Sequence, residues 1–312
     1  MMEPIYTVTG AFGYSGKYIS RILLDKNIKV QTLTNSYQRS NPFGDKIKAY
    51  PFHFDDIDKL TKNLENTKVL INTYWVRFDH KSFNHNSAVD NTKILFEAAK
   101  RAGVERIIHT SITNPDIASP LPYFSGKGIL EKALMDSGVS YCILRPAVLF
   151  GNEDVLINNI AWILRNFPIF GVFGNGEYRL QPIFVEDFAE LAVQKSESRE
   201  NEIINAIGPE SYTYRELAKM IGKAIGKNKP IVQIPDWMGL LVAKIIGMIK
   251  NDVTLTRNEI EGLKADLLYV NSPSPAKTKL SEWVLLNKNS LGKKYSSEMA
   301  RRLNLKNSYE TL

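Results

Sequence analysis

The stretch PLPYFSGKGILEKALMDSG, residues 120–138, sets Tyr123 four positions before Lys127. On a helix that spacing puts both side chains on one face. An ammonium beside a phenol favours the phenolate and pulls down a pKa otherwise near ~10. A tyrosine tuned in this way can give or take the proton that accompanies hydride transfer at a carbonyl. Spacing alone carries little, because fourteen tyrosines in a lysine-rich chain yield about one such pair by chance. The pair has meaning only through the elements around it.

A second cluster lies at the start of the chain. TVTGAFGYSG places Gly10, Gly13 and Gly16 between an apolar run and a helical pattern, with Phe12, Tyr14 and Ser15 filling the turn. Glycine permits the tight turn and the close backbone approach that a pyrophosphate needs, and the phosphates then sit on helix N–H groups. The expected ligand is a nicotinamide dinucleotide. An acid at the end of the second strand would hold the two ribose hydroxyls of NAD, but TLTNSYQRSNP offers Asn35 and Ser36 there. Arg39 follows, a residue type that pairs with a 2′-phosphate. The reading is therefore NADP, with NAD as the alternative. Asp55, after the third strand, is placed to accept from the adenine amino group, and Thr73, after the fourth, joins the cofactor set.

Strand and helix patterns alternate six times before residue 151. The expected strands are IYTVTG, KVQTLT, IKAYPFHF, KVLINTYW, ERIIHTS and SYCILRPAVLFG. Between them run helical patterns, one opened by Asp55 or Asp56 as a cap and one closed at Gly103. This alternation predicts an α/β fold, a Rossmann-type doubly wound parallel sheet. Residues 1–151 are the expected NAD(P)-binding domain, with later strands from 180–207 joining its sheet. Residues 152–312 are the expected smaller, mainly helical substrate-side lobe, without a second core of its own. Two capping boxes, Thr213 to Glu216 and Thr256 to Glu259, mark helix starts in it. In this order Tyr123 and Lys127 open the helix after the fifth strand, on the side where strand carboxyl ends meet a cofactor.

Bulk properties exclude other classes. The 312 residues are 44% hydrophobic and 23% charged, as in an ordinary globular protein. A net charge of +7 is spread without long basic runs, which argues against nucleic acid and for a phosphate-bearing small molecule. The single cysteine, Cys142, reads as a buried core thiol and fits a reducing cytoplasm. MMEPIYTVTG enters a strand at once, leaving no room for a leader. His53, His80, His85 and His109 lack metal-site spacing, so no metal is expected. WMGLLVAKIIGMI, residues 237–249, is too short to span a bilayer and carries Lys244. A helix covering core or pocket is the expectation there, ahead of peripheral membrane contact.

Taken together, Gly10-x-x-Gly13-x-x-Gly16, YFSGK, RPAVLFG and GNGEYRLQPIFVEDFAELA resemble the atypical and extended short-chain dehydrogenase/reductases. Within them the chain is most similar to the branch of NmrA-like proteins, the 39-kDa subunit of respiratory complex I and epimerase/dehydratase-like enzymes. The resemblance implies Tyr123 as acid/base, Lys127 as its partner and holder of the nicotinamide ribose, and Ser111 (or Thr113) orienting the substrate oxygen. It also implies Pro146, Ala147 and Val148 beside the nicotinamide. The implied activity is an NAD(P)(H)-dependent oxidoreductase or epimerase acting on a small-molecule substrate. Arg165, Arg179 or Arg257 would serve an anionic one. The branch also contains cofactor-binding members without turnover, which makes a regulatory or assembly subunit with a protein partner the alternative. Lys293, Lys294, Arg301 and Arg302 would dock such a partner. The chain departs from the family after the fourth strand, where small residues give way to Tyr74 and Trp75. A pocket filled by these two rings would favour the non-catalytic alternative.

Overall fold

The computed structural model describes residues 4–36 and 38–304. Five-residue runs rich in β-branched side chains form the first strands: β1 (Ile5–Thr9), β2 (Lys29–Leu33) and, shorter, β3 (Ile47–Tyr50). β4 (Thr67–Asn72), β5 (Arg106–Thr110) and β6 (Ser140–Leu144) complete the set, and Glu202–Ile204 adds an edge. All seven pair in parallel, in the order Glu202–Ile204, β6, β5, β4, β1, β2, β3. The chain builds outward from β1 to β3, then returns to the far side of β1 for β4. That reversal is the topological switch point, the crevice where open α/β sheets bind ligands.

The helices between the strands start and stop for identifiable reasons. α1 (Tyr14–Asp25) begins at Gly13, and α2 (Ile57–Asn63) is capped by Asp56, whose carboxylate accepts from Lys59 N at 3.1 Å. Asp56 is thus the cap and Asp55 stays exposed. α3 (His85–Arg101) is capped by Asn84, and Gly103 turns the chain away at φ +74. α4 (Pro122–Asp136) has proline in its first turn, where a missing N–H costs nothing. Leu70, Leu95, Ile107, Leu130 and Ile143 are fully buried between strands and helices.

Several expected boundaries shift. The third strand stops at Tyr50 and the fourth at Asn72. The expected sixth strand is two: Pro146, which cannot donate to a ladder, separates Ser140–Leu144 from Val148–Phe150. Of the strands between 180 and 207, only Glu202–Ile204 enters the sheet. Pro182–Phe184 pairs with Val148–Phe150, and Arg179–Leu180 pairs with Tyr212–Thr213.

Two compact units result. One runs to Pro146 and takes back Phe188–Asn205, while the other holds Ala147–Asp187 and the chain from Ala206 onward. The second unit has its own core, contrary to expectation: Phe150, Leu164, Phe170, Leu217, Ile221 and Trp283 are buried together. The apolar faces of Leu156–Asn166, Tyr214–Ala224 and Leu280–Asn287 supply it. Both capping boxes form, at Thr213 and Thr256. The helical tail is described as far as Leu303, and the remainder of that expectation lies outside the described residues, as do residues 1–3, which bear on the absence of a leader.

Candidate dinucleotide site

The glycine turn is held from β2. Gly10 N donates to Leu33 O at 2.9 Å, and Ala11 N donates to Thr32 Oγ1 at 3.0 Å. Gly10 has φ +66, a region costly to a side chain. Gly16 is constrained more tightly still. A Cβ there would lie 2.2 Å from Gly10 O, so α1 meets the turn at backbone contact. At Gly13 the same test gives 3.2 Å to Gly10 O. The first turn of α1 contains no acidic residue and no side-chain cap. Its leading amides, which lack intrahelical partners in any helix, face outward with the positive end of the dipole. This cradle fits a pyrophosphate. Phe12 is buried in the turn, while Tyr14 and Ser15 are half-buried.

Thr73 straps the turn to β4. Its N–H donates to Thr9 Oγ1 at 2.7 Å and its hydroxyl donates to Thr9 O at 2.6 Å. Asn35 is exposed and Ser36 half-buried after β2, whereas Arg39 is only 6% exposed.

Beneath the strand ends lies a buried polar ladder that sequence reasoning missed. Thr9 donates to Asn72 Oδ1 at 3.0 Å, and Tyr74 N donates to the same oxygen. Asn72 Nδ2 therefore donates to His109 Nδ1, 3.1 Å away. That leaves the His109 proton on Nε2, which has no partner among the described residues. Burial, with the Lys127 charge added, holds His109 well below the usual imidazole range, so it stays neutral.

Tyr123 and Lys127 share one face of α4 as expected, but neither stands open. The Lys127 ammonium donates to Thr110 O at 2.6 Å and lies 4.3 Å from the centroid of the Trp75 ring. Lys127 is 1% exposed, and burial pulls its pKa down to about 7 against the opposing pull of Glu131. The Trp75 indole also meets the Tyr123 ring edge-on, centroids 5.6 Å apart, with His85 at 5.9 Å from both. Gly126 makes this possible, since a Cβ there would sit 2.9 Å from Trp75 Cη2. Trp75 Nε1 is buried without a hydrogen-bond partner among the described residues. Tyr74 turns elsewhere and packs on Phe52 and Phe54.

Ser111 is engaged as well. Its hydroxyl donates to Glu131 Oε1 at 2.5 Å, and Arg145 grips the same carboxylate with two N–H groups at 2.9 and 2.5 Å. Ser111 N and Thr113 N donate to Leu144 O and Pro146 O, extending the β5–β6 ladder, and Thr113 is fully buried. Glu131 lies one turn beyond Lys127, a spacing that could have been read from the sequence. Its pairing with Arg145 could not.

Residues 10–159 match the NAD(P)H-binding family. The match spans just under half of the chain. Over 242 residues it is 24% identical to the mitochondrial NADH dehydrogenase (ubiquinone) 1 alpha subcomplex subunit 9 of Arabidopsis thaliana. That alignment covers 74% of this chain and 60% of the plant protein. In fold it is similar to a nucleoside-diphosphate-sugar epimerase from Staphylococcus aureus, with TM-score 0.73 and 17% identity over 90% of this chain and 99% of that one. It is also similar to an NADPH-dependent quinone oxidoreductase from Escherichia coli solved with NADPH, with TM-score 0.71 and 22% identity over 90% and 98%. The chain thus has the Rossmann fold that these structures share, and the resemblance to the atypical and extended short-chain group holds.

The remaining expected residues, Cys142 apart, lie in the second unit or at its start. Ala147 is buried, and Val148 opens the strand that pairs with Pro182–Phe184. Arg165 donates to Leu291 O and Lys288 O, Arg179 pairs with Asp266, and the exposed Arg257 pairs with Glu261. Lys293 and Lys294 are exposed, Arg302 pairs with Glu298, and Arg301 is buried. Cys142 is a buried free thiol with its pKa pushed up to about 11 by burial.

Proposed function

We propose that this protein holds a nicotinamide dinucleotide by its adenosine-pyrophosphate half without turning it over, as a regulatory or assembly module for a protein partner. One observation carries the reading: Trp75 lies on the Lys127 ammonium and against Tyr123, where the nicotinamide ribose would be gripped. While Lys127 holds its proton, a desolvated cation–π contact is worth about 2 kcal/mol, roughly thirtyfold in affinity. A ribose that took Lys127 would first have to displace it. The Ser111 hydroxyl, committed to Glu131, adds to the same reading. So does the plant relative, whose name is that of a subunit of a mitochondrial NADH dehydrogenase. NADP is the proposed dinucleotide, supported by Asn35 and Ser36 where NAD proteins carry an acid.

Lys127 supports a second reading. A lysine with a pKa near 7, four residues after a tyrosine at the strand ends, suits an oxidoreductase or epimerase once Trp75 swings aside. Titration with NADPH and NADH, followed by a screen of quinones, ketones and nucleotide sugars at saturating NADPH, separates the two. The expected result is one equivalent bound, NADPH ahead of NADH, and reduced-nicotinamide absorbance that stays flat. Steady substrate-dependent oxidation by the wild type would return the site to catalysis.

A further inference from the structure

The second unit contains a helix whose amphipathicity is inverted. Asp236–Lys250 packs inward through Gly239, Ala243, Ile246 and Gly247. A Cβ at 239 would lie 2.1 Å from Phe173, and one at 247 would lie 2.5 Å from Asp252 O. Apart from Ile246, 6% exposed, only the smallest residues fit that face. The large apolar side chains point the other way: Trp237, Leu241, Val242, Ile245, Met248 and Ile249 are all exposed, with Ile249 at 74%. At ~100° per residue they form a stripe about 140° wide. A monomer stabilised by its own core would bury such residues and expose the small ones.

Charge decides what covers the stripe. Its only acidic neighbour on the helix, Asp236, is paired with Lys264 at 2.8 Å. Lys244 is exposed and borders the stripe one turn before Met248. The helix itself carries Lys244 and Lys250, both exposed, and Asp236 as its sole acid. A second copy of the chain would bring the same surplus to a twofold interface and be repelled. An anionic lipid surface would attract it. Among the described residues no helix is long and apolar enough to cross a membrane.

We propose that this helix lies in the headgroup region of an anionic membrane, with its apolar stripe inserted and its lysines at the phosphates. Flotation of the full chain with phosphatidylcholine vesicles, with and without phosphatidylglycerol, tests this. The chain should float with the anionic vesicles at low salt and less at high salt. Leu241→Glu with Ile245→Glu should cut flotation at least about tenfold, with an unchanged melting temperature because both side chains are exposed. Leu285→Glu with Leu286→Glu, at apolar residues exposed on another helix, should leave flotation intact. Three results would each overturn the proposal. One is a wild type that floats with neither vesicle, and another is a Leu241/Ile245 variant that floats as well as wild type. The third is a lipid-free wild-type dimer that this variant turns into a monomer.

Discussion

Lys127 is the residue on which the site turns, and its burial makes a measurable claim. Its pKa falls from an ordinary 10.5 to about 7, chiefly because it is removed from water. Between these values the unfolded chain keeps the proton and the folded chain sheds it, so folding stability rises with pH from about 7 toward 10.5. Below pH 7 both states carry the proton and the burial penalty is felt in full. The charges around it do not reverse this sign. Glu131 raises the pKa but is also held by Arg145, and His109 is already neutral. Denaturation profiles of wild type and Lys127→Met between pH 7 and 9 should therefore diverge by up to ~1.4 kcal/mol per unit. Parallel profiles would show an ammonium that is not buried. Tyr123 and Lys127 were legible because helix period alone puts them together. Trp75 was legible only as a bulky departure, because its contact partner Gly126 is distant in sequence and belongs to another element.

At the scale of elements, the glycine stretch was legible as a turn between strand and helix, but its most constrained member was not apparent. Three glycines look alike in sequence, yet an added Cβ meets Gly10 O at 2.2 Å from position 16 and at 3.2 Å from position 13. Gly16→Ala should therefore push α1 off the turn, costing about 1–3 kcal/mol of stability and abolishing NADPH binding. Gly13→Ala should be folded and weakened to a lesser degree. Calorimetric titration and thermal melts of the two variants check the order, and a Gly16→Ala protein that binds normally would move the phosphates elsewhere. The strand rhythm was also legible, because buried parallel strands read as short apolar runs. The edge strand was legible too, as one of the strands between 180 and 207 expected to join the sheet, although Glu202–Ile204 is only three residues long.

At the scale of the molecule, periodicity predicted a helical lobe but not its core, because two-residue and three-residue strands there carry no recognisable pattern. The apolar run 237–249 reads from sequence as a cover for core or pocket, since hydropathy does not say which face of a helix is turned outward. Only the burial of the small residues at 239, 243 and 247 reveals the inversion. The central claim is that the dinucleotide is gripped at its adenosine-pyrophosphate half while Lys127 stays with Trp75. Calorimetric titration of the wild type with NADPH and with 2′-phospho-ADP-ribose, which lacks the nicotinamide, measures this most directly. The two should bind within about threefold of each other. NADPH binding tighter by about ten- to a hundredfold, the worth of a charged hydrogen bond from Lys127 to the nicotinamide ribose, would contradict it.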